Sequence, residues 1–448
     1  MTGELANDEE ADVPGRPGVG NRVRRLVLDK LPVASRGTSL LFNALLAVVI
    51  ARLFGATASG EFFLALTAVN VAGMIGRLGT DMRAITVMPA LFQRRSYGAI
   101  GRELAWLRKC CHRGSFVAGV TLATGGAALW LGEGRPVVGL GIDVAVLALS
   151  VPFSCSAILD SSVLRSSGRL SRGAFAETGL TQGLTIVLLG AASFVLALPS
   201  SSASFIYLLS AVCTATIARI WASHSIPRGP DLVAPSPYLR EPGALKAMIH
   251  MMSSSVLFFV LTSSSLFALG LVSQPREIGL YNAATRISTV VALIPALQVT
   301  YLVPRVSRYL SGGDVEGANS ALRRAARQAT AVTVVAAVTI FVFANQIVGV
   351  FGSDFTDAKG TLYVLLVGQV VLAALGNINP LMSISGLGRT SVFIAWGVLA
   401  VGAGPLLASA AVGGSSYVAL VYIAMSVAYA AISAITLKSR LGVKCYIS

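Results

Sequence analysis

Five arginines, Arg36, Arg52, Arg77, Arg219 and Arg286, fall inside long apolar runs of this sequence. A charge at the centre of such a run costs roughly 2.5 to 3.5 kcal/mol on membrane-insertion scales and is seldom left facing lipid. Guanidinium is also the side chain best shaped to grip phosphate, because it forks two hydrogen bonds to one group. Anion binding is the chemistry these residues offer. Arg52 and Arg286 lie in the outer third of their runs. Arg36, Arg77 and Arg219 lie toward the inner ends, where a long side chain can instead snorkel to the headgroups. Arg77 also has Asp81 four residues on as a helix-face partner. Tyr281 and Asn282 mark a polar face beside Arg286, and Asn43 and Asn70 add amides that donate to and accept from hydroxyls. Ser253, Ser254, Ser255, Thr262, Ser263, Ser264 and Ser265 share one run, where small hydroxyl residues also serve close helix packing. Three acids near inner ends, Asp81, Asp160 and Glu177, are candidates for ion coupling.

Other chemistry is not visible. There is no Gly-x-x-x-x-Gly-Lys-Ser/Thr phosphate loop, no His-Glu-x-x-His and no Gly-x-Ser-x-Gly. The three histidines, His112, His224 and His250, are far apart, and the five cysteines lack metal-type spacing. No metal, cofactor or enzymatic site is expected.

The elements that must position these residues follow from composition. Of 448 residues, 54% are hydrophobic and only 12% charged. A soluble chain carries roughly 25% charged residues. The deficit runs along the whole sequence, so an all-α integral membrane protein is expected. Apolar runs of about 20 residues place twelve spanning helices, near 33–54, 61–82, 115–132, 140–163, 173–196, 204–224, 247–272, 280–304, 328–351, 360–384, 390–411 and 417–437. The odd-numbered connections hold three Lys or Arg, Arg135, Arg276 and Lys359, against 27 in the other loops and tails. Positive loops stay in the cytoplasm, so both termini are expected there. The net charge of +15 is thereby assigned to anionic inner-leaflet lipid rather than to nucleic acid.

The expected organisation is a cytoplasmic tail over 1–30, a first six-helix lobe over 31–224, a proline-rich cytoplasmic linker over 225–246, a second lobe over 247–437 and a tail over 438–448. The N-terminal stretch has no short apolar region with a cleavage site and reads as a retained tail. The connections near 83–114 and 305–327 read as amphipathic helices along the membrane face, with Leu104, Trp106 and Leu107 among Arg102, Arg108 and Lys109. A short repeat relates the lobes. Gly60-Glu61-Phe62-Phe63-Leu64-Ala65 matches Gly279-Leu280-Tyr281-Asn282-Ala283-Ala284 at an offset of 219. It implies two lobes related by an axis along the membrane normal around a central cavity, an arrangement of alternating-access carriers.

Ala51-Arg52-Leu53-Phe54-Gly55, Gly60-Glu61-Phe62 and Leu78-Gly79, then Ile278-Gly279-Leu280-Tyr281-Asn282-Ala283-Ala284-Thr285-Arg286-Ile287, Val303-Pro304, Gly313-Asp314, Phe351-Gly352 and Leu387-Gly388-Arg389 occur in an order that resembles bacterial polysaccharide flippases of the Wzx type. These belong to the multidrug/oligosaccharidyl-lipid/polysaccharide exporter superfamily. The resemblance implies movement of a lipid-linked glycan, anionic or neutral, across the cytoplasmic membrane of a bacterium without ATP. Its partners would be membrane lipid, a polysaccharide polymerase and glycosyltransferases. Some relatives have fourteen helices where this sequence shows twelve. A cation-coupled drug exporter of the same superfamily is the rival reading, although the first span contains no acid. A non-transporting membrane subunit of a glycan-assembly complex is the third.

Overall fold

The computed structural model describes residues 19–131, 138–195, 198–226, 243–376 and 378–443. Among them every regular element is a helix. The part of the chain expected to form the first lobe comprises α1 (Val19–Gly76), α2 (Thr80–Gln93), α3 (Tyr97–Leu131), α4 (Val138–Ala148), α5 (Val151–Ser166), α6 (Leu170–Ala174), α7 (Leu180–Val195) and α8 (Ser202–Ser223). The part expected to form the second comprises α9 (Ala244–Val272), α10 (Pro275–Ser311), α11 (Val315–Val342), α12 (Ala344–Gly349), α13 (Ala358–Leu375), α14 (Ile378–Ile384), α15 (Gly388–Val412) and α16 (Gly414–Leu441). Seven helices are long and apolar enough to cross a membrane, or nine with two bent pairs counted as spans. In addition, α1 holds two of the twelve expected spans, and α3 and α10 carry the third and eighth. Residues 227–242 of the expected linker, both chain ends and Cys445 lie outside the described residues. "Outer" and "inner" below name the sides expected from the charge distribution.

Local backbone chemistry sets the breaks. Gly55, at φ 78° and ψ −177°, interrupts α1 between the first two expected spans, a conformation that costs glycine little. Leu78 and Gly79 both have positive φ, so the second span stops at Gly76 rather than near residue 82. A right-handed helix does not run through consecutive left-handed residues. The fourth span bends by 45° between α4 and α5, where Pro152 opens the new helix. The fifth bends by 52° around a π turn at Phe175–Gly179.

Neither expected surface helix is a single element, and the stretch near 83–114 is divided between α2 and α3. Residues 97–131 form one helix, and the second stretch is divided between α10 and α11 around a turn near Gly313. Ile100, Leu104 and Leu107 are buried. The apolar stripe of α3 thus faces the protein core instead of lipid headgroups. The lobes meet mainly where α1 packs on α9 and α10. A second meeting point sets Gly79 against the backbone of Met248. Outer turns of the second lobe are tied together by Ser273 Oγ donating to the Ala410 carbonyl at 2.7 Å and Ser415 N donating to Glu277 at 2.9 Å. Arg276 and Asp357 pair at 2.7 Å, and that hydrogen bond holds the Arg276 guanidinium above its ordinary pKa.

Candidate functional site at the lobe interface

The repeat in the sequence becomes a contact in space. A Cβ placed on Gly60 would press into the Pro275 carbonyl and stand 2.8 Å from the Gly279 nitrogen; one placed on Gly279 would press into the Ala56 carbonyl. The offset of 219 that relates Gly60 to Gly279 also relates Ala56 to Pro275. The two helices therefore cross about a local two-fold, each glycine seated on the other helix's backbone. No side chain of any size fits between them.

Just below this crossing, Arg286 of α10 reaches over the lobe boundary. Its guanidinium carbon lies 5.3 Å from the centroid of the Phe63 ring on α1, a cation–π distance. Among the described residues it has no carboxylate partner, and its buried Nε has no hydrogen-bond partner. The side chain as a whole nevertheless keeps partial exposure. A charge held this way needs an anion or water to complete its solvation. Phe63 continues into an edge-on aromatic series, with Phe62 at 5.2 Å and Tyr207 6.1 Å beyond it.

The neighbours expected to share this polar face are placed differently. Tyr281 is 1% exposed and Asn282 3% exposed, so both are packed inside the α10 contact. Asn43 is half-buried and Asn70 exposed on α1. Arg36 lies on α1 with its side chain outside the described set. Arg52 is held at the outer edge, where its Nε donates to the Val350 carbonyl at 2.6 Å and its Nη2 to the Gly349 carbonyl at 3.1 Å. Those carbonyls end the short helix α12, the negative pole of its dipole. Arg52 thus ties the first lobe to the second. In α9, Ser253, Ser254, Ser255, Thr262 and Ser264 donate to carbonyls of their own helix, the usual outlet for a hydroxyl in a helix.

The three candidate coupling acids are all paired within the first lobe. Asp81 lies 3.4 Å from Arg77, and Glu177, in the π turn, 2.9 Å from Arg165. Asp160 is fully buried between Arg108 at 2.6 Å and Arg219 at 3.7 Å. A further buried pair, Arg83 with Glu103 at 2.6 Å, had no sequence signal, because its residues stand 20 apart across a helix break. On the outer side, Asp143 is 4% exposed and accepts from Ser204 at 2.6 Å, and among the described residues it is in no ion pair.

No family model matches this chain. A curated relative, the probable low-salt glycan biosynthesis flippase Agl15 of Haloferax volcanii, is 26% identical over 235 residues. That alignment covers 52% of this chain, and the chain spans about half the length of the relative, 48%. Among solved structures, an inward-facing multidrug resistance MATE family transporter of the MOP superfamily matches with a TM-score of 0.72 at 17% identity, covering 92% of this chain and 98% of that one. An outward-facing MATE family transporter of the same superfamily matches at 0.63 and 18% identity, covering 94% and 96%. The chain has the two-lobed MATE fold.

Proposed function

We propose that this protein is an alternating-access transporter that flips a lipid-linked oligosaccharide, a polyprenyl diphosphate carrying a glycan, across the cytoplasmic membrane of a bacterium. The observation that carries the reading is Arg286, a guanidinium without a carboxylate partner among the described residues, placed at the boundary of two lobes in a transporter fold. A diphosphate would supply the acceptors that the protein withholds. The similarity to a glycan biosynthesis flippase supports the same cargo class, and the order of Wzx-type motifs supports the bacterial polysaccharide branch. A polymerase and glycosyltransferases would be its partners, and both termini would lie in the cytoplasm.

The mechanism follows from the interface. With Gly60 against Gly279 and Arg52 on the end of α12, the outer halves of the lobes are closed. The higher similarity to an inward-facing transporter supports this assignment. Cargo phosphate reaching Arg286 would form charge-assisted hydrogen bonds, which are roughly twice as strong as neutral ones. It would draw the guanidinium from the Phe63 face and so weaken a contact between the lobes. Loading from inside would thereby favour opening outside.

The MATE fold also supports a multidrug exporter. The two readings separate at Arg286. Arg286→Ala should abolish glycan export at matched protein abundance, and Arg286→Lys should keep part of it, because charge survives without the fork. Unaffected export by Arg286→Ala would remove Arg286 from the site, and drug efflux without glycan export would favour the rival.

A further inference from the structure

A second cationic feature lies far from Arg286. Between α10 and α11, Gln298, Leu302, Arg305, Ser320, Arg324 and Gln328 line a cavity of about 210 Å³. Ser320, Arg324 and Gln328 continue into an adjoining cleft of about 320 Å³ that adds Arg323 and Arg327. Four guanidinium groups, one on α10 and three on α11, thus line two spaces that share a wall. None of the four is in an ion pair among the described residues. Of the two acids nearest in sequence, Asp314 caps α11, accepting from the Gly317 nitrogen at 2.7 Å, and Glu316, in the first turn of that helix, is in no ion pair among the described residues. Arg305 is steered by Tyr309, whose ring centroid lies 5.9 Å from the guanidinium carbon.

Depth assigns the layer. Helix α10 starts at Pro275 on the outer side, and Arg305 follows 30 residues later, about 45 Å along a helix at 1.5 Å per residue. A bilayer is about 30 Å thick across its hydrocarbon and about 40 to 45 Å with headgroups. The arginines therefore stand in the inner headgroup layer. Gln298 lies two turns deeper, and the wall between is apolar, with Leu302, Ala321 and Ala325.

We infer that the cleft between α10 and α11 is a binding site for a lipid-borne phosphate ester, an anionic inner-leaflet phospholipid whose headgroup pairs with Arg305 and Arg324 and whose chains run along Leu302. The site is 19 residues from Arg286 on the same helix and does not depend on the nature of the cargo. Its apolar wall distinguishes a lipid from free phosphate, which would have no use for it.

The test uses the full-length protein in nanodiscs of neutral phosphatidylcholine, titrated with phosphatidylglycerol, with retained lipid counted by native mass spectrometry. The double variant Arg305→Gln/Arg324→Gln should weaken phosphatidylglycerol binding about 30-fold, the loss expected of two interfacial arginines. Arg305→Lys/Arg324→Lys should keep most of the binding. Arg113→Gln/Arg389→Gln, which removes two inner-side charges elsewhere, should change it less than about twofold. Equal weakening in the two Gln pairs would overturn the site in favour of diffuse surface attraction. On the unmodified protein, inorganic pyrophosphate should fail to displace the lipid; displacement would show a soluble-anion site and equally overturn the proposal.

Discussion

Alanine at Gly60 tests whether the two-fold crossing closes the outer side. The added Cβ would stand 2.8 Å from the Gly279 nitrogen and closer still to the Pro275 carbonyl, where ordinary contact begins at 3.4 Å. Both obstacles are backbone, so no rotamer change relieves them, and the helices must part by more than about 0.6 Å at the nearer-allowed atom alone. Overpacking of this kind costs roughly 1 to 3 kcal/mol. Only the state with the outer halves together bears that cost. The equilibrium should therefore move toward the outward-open state by about 5- to 150-fold. Gly279→Ala should do the same through the Ala56 carbonyl. The two should not add, because one methyl already makes the gap that the other needs. Spin labels at exposed Ser200 and Ser353, in a background with the cysteines replaced, would report the distance between the outer ends of the lobes. The expected result is a longer distance for each single variant and little more for the double. An unchanged distance in a folded Gly60→Ala protein would refute the idea that this crossing governs closure.

Three further outcomes are expected. Reporter fusions at Ser201 and Ser415 should read outside, and fusions at Gly98, Gly313 and the C-terminus inside; an inside signal at Ser201 would break the twelve-helix topology. Asp160→Asn should destabilise the first lobe by about 1.5 to 3 kcal/mol, the loss of a charged hydrogen bond to the half-buried Arg108 guanidinium, seen as a fall in thermal unfolding temperature; unchanged stability with altered pH dependence of transport would return Asp160 to the coupling mechanism. Arg52→Gln should remove the charge from the end of α12 and lengthen the Ser200 to Ser353 distance severalfold less than Gly60→Ala in population terms, and no change would mean that the contact is incidental.

The spans were legible because membrane burial imposes itself on every stretch of about 20 residues, whatever the tertiary partners. The details that depend on partners were not. Arg108 reads as one loop cation among several, since nothing near it in sequence reveals that Asp160, 52 residues on, will close on it at 2.6 Å. Tyr281 and Asn282 read as a polar face because their chemistry is polar, yet the close approach of α10 to its neighbours packs them inside. The weak repeat carried more than its length suggested. Where two related helices cross with backbones touching, only glycine fits, and the symmetry demands it twice at equal offsets. Gly60 and Gly279 are therefore legible as a pair even though neither is legible alone. The residue types around them are free to diverge, as Glu61 and Leu280 have done, because the backbone contact constrains only the glycines. A conserved spacing with one obligatory residue type is what a backbone contact about a two-fold leaves in a sequence, and it is also why a single methyl at either position is the smallest change that can tell whether the two lobes must touch there.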